Sequence, residues 1–527
     1  MDAILITISG RPFGRPVRSR RDEARDSESE CASTSRCRKE NFVMAAKITL
    51  PEHAERPNMR FVTLVSIVAA LGGLLFGFDT AVVSGAIGFM QDRFDLNEVQ
   101  VGWAVSSLII GCIVGAAASG WLSDGLGRKK VLIGAAILFV IGSIGSALPS
   151  TFAGYVIARM VGGLGIGITS TLCPLYNAEM APARYRGRLV ALNQFATVTG
   201  IFLTYFVNSG IAGAGNDAWD VSTAWRWMFG VGAIPGMIFM ILLFFVPESP
   251  RWLIKQGRPE EALAILLRIH GEEAAKQEVL EIKESFREQR ASLRELFKPG
   301  IRFALFVGVV IAILQQVTGI NAILYYAPEI LKATGAGTNA ALIQTILVGF
   351  INFVFTILSI WLIDKAGRKA LLLAGSAVMT VSLALIGYVF NTGNISGPLV
   401  LVLILIYVAA FAVSLGPVVW VLLAEIFPNR VRGRATAIAS MALWAADYAV
   451  SQSFPPLLSS AGPAATYWIF GALSLVTVLF TWLFVPETKG KSLEKMEELW
   501  SRRAGQAIKA SASANDEGAL GRPVQNE

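Results

Sequence analysis

From Phe61 onward the chain alternates between long apolar stretches and short polar ones. Apolar stretches begin near residues 61, 100, 131, 152, 188, 224, 302, 339, 370, 398, 435 and 464. Each is long enough to cross a bilayer as an α-helix, since about 20 residues at about 1.5 Å rise match the hydrocarbon core. The pattern predicts an all-α membrane protein with twelve transmembrane helices. Composition agrees, because 54% hydrophobic and 16% charged residues with 50 glycines are too apolar for an ordinary soluble domain.

Charge supplies an orientation. The formal net charge of +8 is not gathered on one soluble domain, which argues against a nucleic-acid partner. Basic residues sit in alternate loops: Arg128, Lys129 and Lys130; Arg184, Arg186 and Arg188; a run between Arg251 and Arg302; Lys365, Arg368 and Lys369; and Arg430, Arg432 and Arg434. The intervening loops hold little beyond Arg93, Arg226 and Lys332. By the positive-inside rule this predicts a multi-pass protein of the plasma (inner) membrane with both termini in the cytoplasm.

Cys112 and Cys173 fall within spans and Cys31 and Cys37 in a polar tail, so free thiols are expected rather than a disulfide framework. The only histidines, His53 and His270, lie outside the spans, and no nucleophile or metal-ligand cluster accompanies them. Neither an enzyme, a metal site nor a cofactor is expected. Residues 1–58 mix Arg, Glu, Asp and Ser without a secretory apolar core, and read as a disordered cytoplasmic tail. Met44 opens a second lead-in, MAAKITLPEH, so Met1 and Met44 stand as alternative starts.

The apolar pattern repeats. WLSDGLGRK at 121–129 returns as WLIDKAGRK at 361–369, EMAPARYRGR at 179–188 as EIFPNRVRGR at 425–434, and FVPES at 245–249 as FVPET at 484–488. Three motifs in the same order after the same spans mark a tandem duplication of six spans. The predicted units are a tail at 1–58, a six-helix half at 59–250, a charged helical linker at 251–300, a second half at 301–486 and a cytoplasmic tail at 487–527. Two such halves joined by a cytoplasmic linker form the architecture of major facilitator transporters.

The motifs make the resemblance more specific. The two D-x-x-G-R-K segments, the two E-x-x-P-x-R-x-R-G-R segments, PESPRWL (247–253), QQVTGINAILYY (315–326) and PETKG (486–490) resemble the sugar porter family. That family includes bacterial pentose and hexose proton symporters and animal facilitative glucose transporters. The resemblance implies a monosaccharide importer working by alternating access.

A sugar presents hydroxyls that both donate and accept, and C–H faces. Carboxamides suit the first and aromatic rings the second. The chain places Gln194, Gln315, Gln316, Asn321 and Asn352 within spans, with Trp420, Trp444 and Tyr325. Any single amide could instead be glue between helices. The resemblance implies that Phe76, Gln194, Gln315, Gln316, Asn321, Trp420 and Trp444 meet the sugar. Two departures from sugar-binding relatives are Leu443, where a polar residue is usual, and Asp447, where an amide is frequent; Asp447 either contacts substrate or an ion or pairs structurally. Gly416 and Pro417 interrupt the tenth span, and predict a kink or hinge there.

At the basic ends of the spans Asp124, Arg128, Glu179, Arg188 and Glu248 recur as Asp364, Arg368, Glu425, Arg434 and Glu487. Singly they read as ordinary surface charges. Their duplication predicts networks that brace the inner ends in the outward-open state and break when the transporter opens inward.

Within the first span, Asp79 is the only charge between Phe61 and Met90. Its predicted partner is Arg159, the one charge of the fourth span before Glu179. At about 1.5 Å per residue both lie about 12–17 Å below the outer surface. Two roles remain open, a static ion pair or a proton carrier whose carboxylate takes a proton when Arg159 withdraws. Symporters of the resembled family tend to carry an acid here, which favours proton coupling over uniport. The partners expected are thus a monosaccharide, protons and the lipid bilayer around a monomer. A non-transporting sugar sensor of the same fold is the alternative from another class; it would carry a longer tail.

Overall fold

The computed structural model describes residues 57–182, 185–288, 293–298, 300–393, 395, 397–428, 431–490, 496 and 500. The expectations for the tail up to residue 56, with Cys31, Cys37, Met44 and His53, for Arg184 and Arg430, and for residues 501–527 lie outside the described residues.

The described residues form helices without a strand among them. Six spans come first: α1 (Met59–Phe94), α2 (Glu98–Leu126), α3 (Arg128–Ala147), α4 (Phe152–Met180), α5 (Arg186–Ala212) and α6 (Asp217–Leu243). Short amphipathic helices follow: α7 (Pro250–Lys255), α8 (Pro259–Ile269) and α9 (Glu272–Glu288). The second set comprises α10 (Ile301–Tyr325), α11 (Ala327–Lys332), α12 (Thr338–Ala366), α13 (Arg368–Thr392), α14 (Gly397–Ile426) and α15 (Arg432–Phe484).

Eleven described helices are long and apolar enough to span, where the sequence pattern counts twelve. The difference lies in α15. Its 53 residues would extend about 80 Å as a straight helix, more than twice the hydrocarbon core. The backbone leaves helical geometry at Gly462 (φ 80°, ψ 164°), just before Pro463, so α15 comprises the eleventh and twelfth spans.

Local chemistry sets the helix ends. Asn97 and Gln100 form a reciprocal capping box at the start of α2, each side chain accepting from the other's backbone N–H at 3.0 Å. In the linker, Trp252, Leu253, Ala262, Leu266 and Ala275 bury one another while the charged faces of α8 and α9 meet water.

Two spans are broken. In α10 the break falls at Gly319, whose φ of 89° suits glycine, and a Cβ there would lie 2.7 Å from the Phe470 ring. The carbonyls around it are satisfied: Thr318 Oγ1 donates to Gln315 O at 2.9 Å, and Tyr407 Oη donates to Thr318 O at 3.0 Å. In α14 the sequence places the interruption at Gly416 and Pro417, whereas the non-helical residue is Ser414 (φ −117°, ψ −96°). Proline acts on the turn before it, since it offers no N–H to the carbonyl four residues back and its ring crowds that oxygen. That carbonyl is Val413 O, and Ser359 Oγ of α12 donates to it at 2.8 Å.

The two sets of six spans meet at the end remote from the basic loops and near the middle. Gln452 on α15 bonds twice to α2, accepting from Ser106 Oγ at 2.7 Å and donating to Val99 O at 3.0 Å. Tyr205 Oη on α5 donates to Leu324 O at 3.1 Å. Deeper in, Phe202 stacks on Phe353 at 5.6 Å and the edge of Phe76 meets Trp444 at 5.6 Å.

Candidate functional site

The duplicated motifs at the basic end fold into twin arrangements. Arg128 grips Glu179 with Nε at 3.0 Å and Nη2 at 3.1 Å, and reaches Asp124 at 3.2 Å. Its counterpart Arg368 grips Glu425 with Nε at 3.1 Å and Nη2 at 2.8 Å, and reaches Asp364 at 3.2 Å. Glu248 accepts from the backbone N–H of Arg128 at 2.9 Å and of Lys129 at 3.2 Å, seating a carboxylate on the positive N-terminus of α3. Glu487 does the same for Arg368 and Lys369 on α13, both at 3.0 Å. The motif glycines permit this approach: Gly127 and Gly367 have φ of 98° and 90°, and a Cβ on either would strike the capping carboxylate. Partial burial pushes the Glu487 carboxyl up, but the backbone N–H groups of Lys489, Arg368, Lys369 and Thr488 outweigh it and hold it below the usual glutamate range.

The sequence reading missed two members. Ser249 Oγ donates to Glu179 and Thr488 Oγ1 to Glu425, each at 2.5 Å. Their signal was present, since both close the repeated FVPES and FVPET and each supplies a hydroxyl at the same place. Arg188 and Arg434 lie exposed at the starts of α5 and α15.

Each network joins helices of a single half. Both are complete although the halves are closed on each other at the far end, so a rigid rocking of the halves need not break either one. Arg128→Gln removes a bidentate partner from a Glu179 side chain only 5% exposed, and is expected to destabilise the half by about 3 kcal/mol. Thermal unfolding of the detergent-solubilised variant checks this; an unchanged midpoint contradicts it.

Near the middle of the bundle the residues expected to meet a sugar lie on broken helices or beside them. Gln315 Nε2 donates to Leu415 O at 2.7 Å and to Gly416 O at 3.1 Å, tying α10 to the break in α14. Gln316 Nε2 donates to Gln315 Oε1 at 3.4 Å, and Asn321 Nδ2 donates to Gln316 Oε1 at 2.8 Å. Tyr325 Oη reaches Asp447 Oδ2 at 3.5 Å. Trp444 and Phe76 meet edge to face, and Leu443 is buried beside them on α15. Trp420, 40% exposed, shares a face of α14 with Gly416 four residues earlier. Gln194 is half-buried on α5 and Asn352 buried on α12, and neither makes a described hydrogen bond.

Asp79 and Arg159 are joined. Arg159 Nη1 donates to Asp79 Oδ1 at 2.6 Å and Nη2 to the Asp79 carbonyl at 3.3 Å. The side chains are 6% and 3% exposed, and the guanidinium lies 5.1 Å over the Phe229 ring. The pair is single-pronged: Asp79 Oδ2 and Arg159 Nε are buried without a described hydrogen-bond partner. A static pair would gain from a bidentate fork, which Arg and a carboxylate readily form.

The chain as a whole is similar to known proteins. The model of the family described as "Sugar (and other) transporter" matches residues 65–500. The chain is 48% identical over 444 residues to the arabinose-proton symporter of Bacillus subtilis (strain 168), covering 84% of this chain and 96% of that relative. It is 44% identical over 475 residues to the D-xylose-proton symporter of Escherichia coli (strain K12), again covering 84% and 96%. Among solved structures, the partially occluded inward-open form of the xylose transporter XylE from E. coli superposes with a TM-score of 0.75 at 42% identity, over 82% of this chain and 100% of that one.

Proposed function

We propose, on the premise that this chain belongs to the sugar (and other) transporter family, that it imports a monosaccharide together with a proton by alternating access. The observation that carries the reading is Asp79. It is a buried carboxylate with one oxygen on Arg159 and the other unpartnered. Oδ2 is the atom free to take a proton. Protonation there removes the charge that holds Arg159, and the loosened guanidinium either finds another partner or leaves a buried cation uncompensated. The loaded and unloaded carriers thereby favour different arrangements of α1 and α4, which is the differential affinity that coupling requires.

The sugar is read as lying in the middle of the bundle, between Phe76 and Trp444 on one side and the carboxamides of Gln316 and Asn321 on the other, with Gln194, Asn352, Tyr325 and Trp420 around it. Gln315 serves that site indirectly, because both its N–H groups hold the broken α14, whose Gly416–Pro417 segment acts as the hinge. The asymmetry of basic residues between alternate loops supports reading both termini as cytoplasmic, in a monomer of the plasma membrane that works without a metal, a cofactor or enzymatic activity.

Proteoliposome uptake of labelled xylose, arabinose, glucose, galactose and myo-inositol, with and without an inward proton gradient, tests the reading. At least one of the monosaccharides is expected to accumulate above its outside concentration only when the gradient is imposed. Equilibration without accumulation would make the protein a uniporter, and no uptake of any of them would remove the sugar assignment.

A further inference from the structure

At the end remote from the basic loops, a cavity of about 160 Å³ lies between the two sets of spans. It has space for about ten water molecules, and so for one monosaccharide, whose bonded atoms pack closer. Gln91 of α1 and Glu98 of α2 belong to one wall, and Tyr326, Glu329, Phe454 and Tyr467 to the other. Glu98 is exposed, so the cavity reaches solvent. The facing wall is held in place. Tyr326 Oη donates to Ser451 O at 3.2 Å, and its ring lies 5.0 Å from that of Phe454. Tyr467 stacks on Phe390 at 5.5 Å. Glu329 Oε1 accepts from Lys332 Nζ at 2.8 Å and rests against α1, where a Cβ on Gly88 would strike that same oxygen. Polar capacity is left over. Glu329 Oε2 and the side chains of Gln91 and Glu98 make no hydrogen bond or ion pair among the described residues.

We propose that this cavity is an external binding site for a monosaccharide, and that a sugar held there keeps the carrier closed to the outside. The walls fit that ligand. Carboxylate oxygens accept from several hydroxyls at once, Gln91 adds a donor, and the rings of Tyr326, Phe454 and Tyr467 supply apolar surface for C–H groups. Two carboxylates against the one ammonium of Lys332 disfavour an anion. The cavity also lies on the way to the centre, since Tyr326 follows Tyr325 and its partner Ser451 is one turn from Asp447. Its walls come from different halves, which are joined beside it by the two bonds of Gln452. Opening outward parts α1 and α2 from α10, α11 and α15, and so divides the cavity. A ligand bound there favours the closed arrangement, and withdraws carriers from the pool that admits sugar.

The inference rests on the sugar-import reading, and the two fail separately. Uptake at low concentration tests import, and the shape of the curve at high concentration tests the cavity. The experiment is initial uptake of the transported sugar into right-side-out membrane vesicles holding the full chain, at constant osmolarity, up to about a hundred times KM. Wild-type uptake is expected to pass through a maximum. It should fall about twofold once external sugar matches the dissociation constant of the cavity, because half of the closed carriers are then occupied. Exit of sugar from inside the vesicles should show no maximum, as the cavity faces outside. Glu98→Ala removes a carboxylate that the central site does not use. The concentration giving half inhibition is then expected to rise about tenfold, the worth of a hydrogen bond to a charged group, with KM within about twofold. Uptake that stays hyperbolic over the whole range would overturn the proposal. So would a Glu98→Ala protein inhibited like wild type, or inhibition equally strong from the inside. Inhibition by external choline with none by sugar would give the cavity to an organic ammonium ion and remove the sugar from it. The wild-type curve and its sidedness decide the matter alone if Glu98→Ala does not reach the membrane.

Discussion

Asp79→Asn is expected to reduce the accumulation ratio of the transported sugar to about 1 under an imposed proton gradient while leaving sugar exchange across the membrane intact. The amide keeps the size of the carboxyl group and can still accept from Arg159 through its oxygen. It cannot bind or release a proton near neutral pH. A gradient of one pH unit is worth about 1.4 kcal/mol, a tenfold sugar gradient for a carrier that couples one proton to one sugar. All of it should vanish in the variant. Counterflow needs only that the loaded carrier reorient, and Asp79→Asn resembles the protonated carrier in having no charge on α1. Accumulation by this variant in proteoliposomes, read with labelled sugar at a fixed pH difference, would remove Asp79 from the proton path.

Arg159→Gln is expected to act differently and to destabilise the protein by about 3–5 kcal/mol, because it leaves the Asp79 carboxylate alone in a span. The double variant Asp79→Asn with Arg159→Gln has no buried charge to strand and should recover most of that loss. Thermal unfolding of the four proteins in detergent checks the cycle. An Arg159→Gln protein as stable as wild type would mean that Asp79 holds its proton without the arginine, and that the withdrawal of Arg159 is not what loads it.

Much of this was legible in the chain before any coordinates. Charges inside apolar stretches are so costly that Asp79 and Arg159 stood out alone in their spans, and a count of helical rise put them at matching depth; they lie 2.6 Å apart. The duplicated motifs likewise announced twin clusters, because Glu179 and Glu425 recur at the same distance from the same basic loop. What the spacing could not convey is direction. An amide four or five residues from another on a broken helix can face a substrate, a carbonyl or a neighbour, and nothing in QQVTGIN says that Gln315 spends its donors on Leu415 and Gly416. The place of the kink in α14 was offset for a related reason. Proline disturbs the carbonyl four residues earlier, so the break visible at Ser414 is written at Pro417.

The inner networks show the opposite limit. Residue type and repetition located their members, but whether a network joins two halves or braces one depends on which helices are neighbours. Arg128 belongs with Glu179 and Glu248, all of the first half, and Arg368 with Glu425 and Glu487, all of the second.

The central claim is that sugar and proton move together, and proton movement can be read directly. Proteoliposomes in a weakly buffered medium, without an imposed gradient and with the membrane potential collapsed, are given the transported sugar while the external pH is followed. Coupled entry predicts alkalinisation of the medium in step with sugar uptake for the wild-type protein and none for Asp79→Asn. Sugar entry at the normal rate with no change in external pH would contradict it.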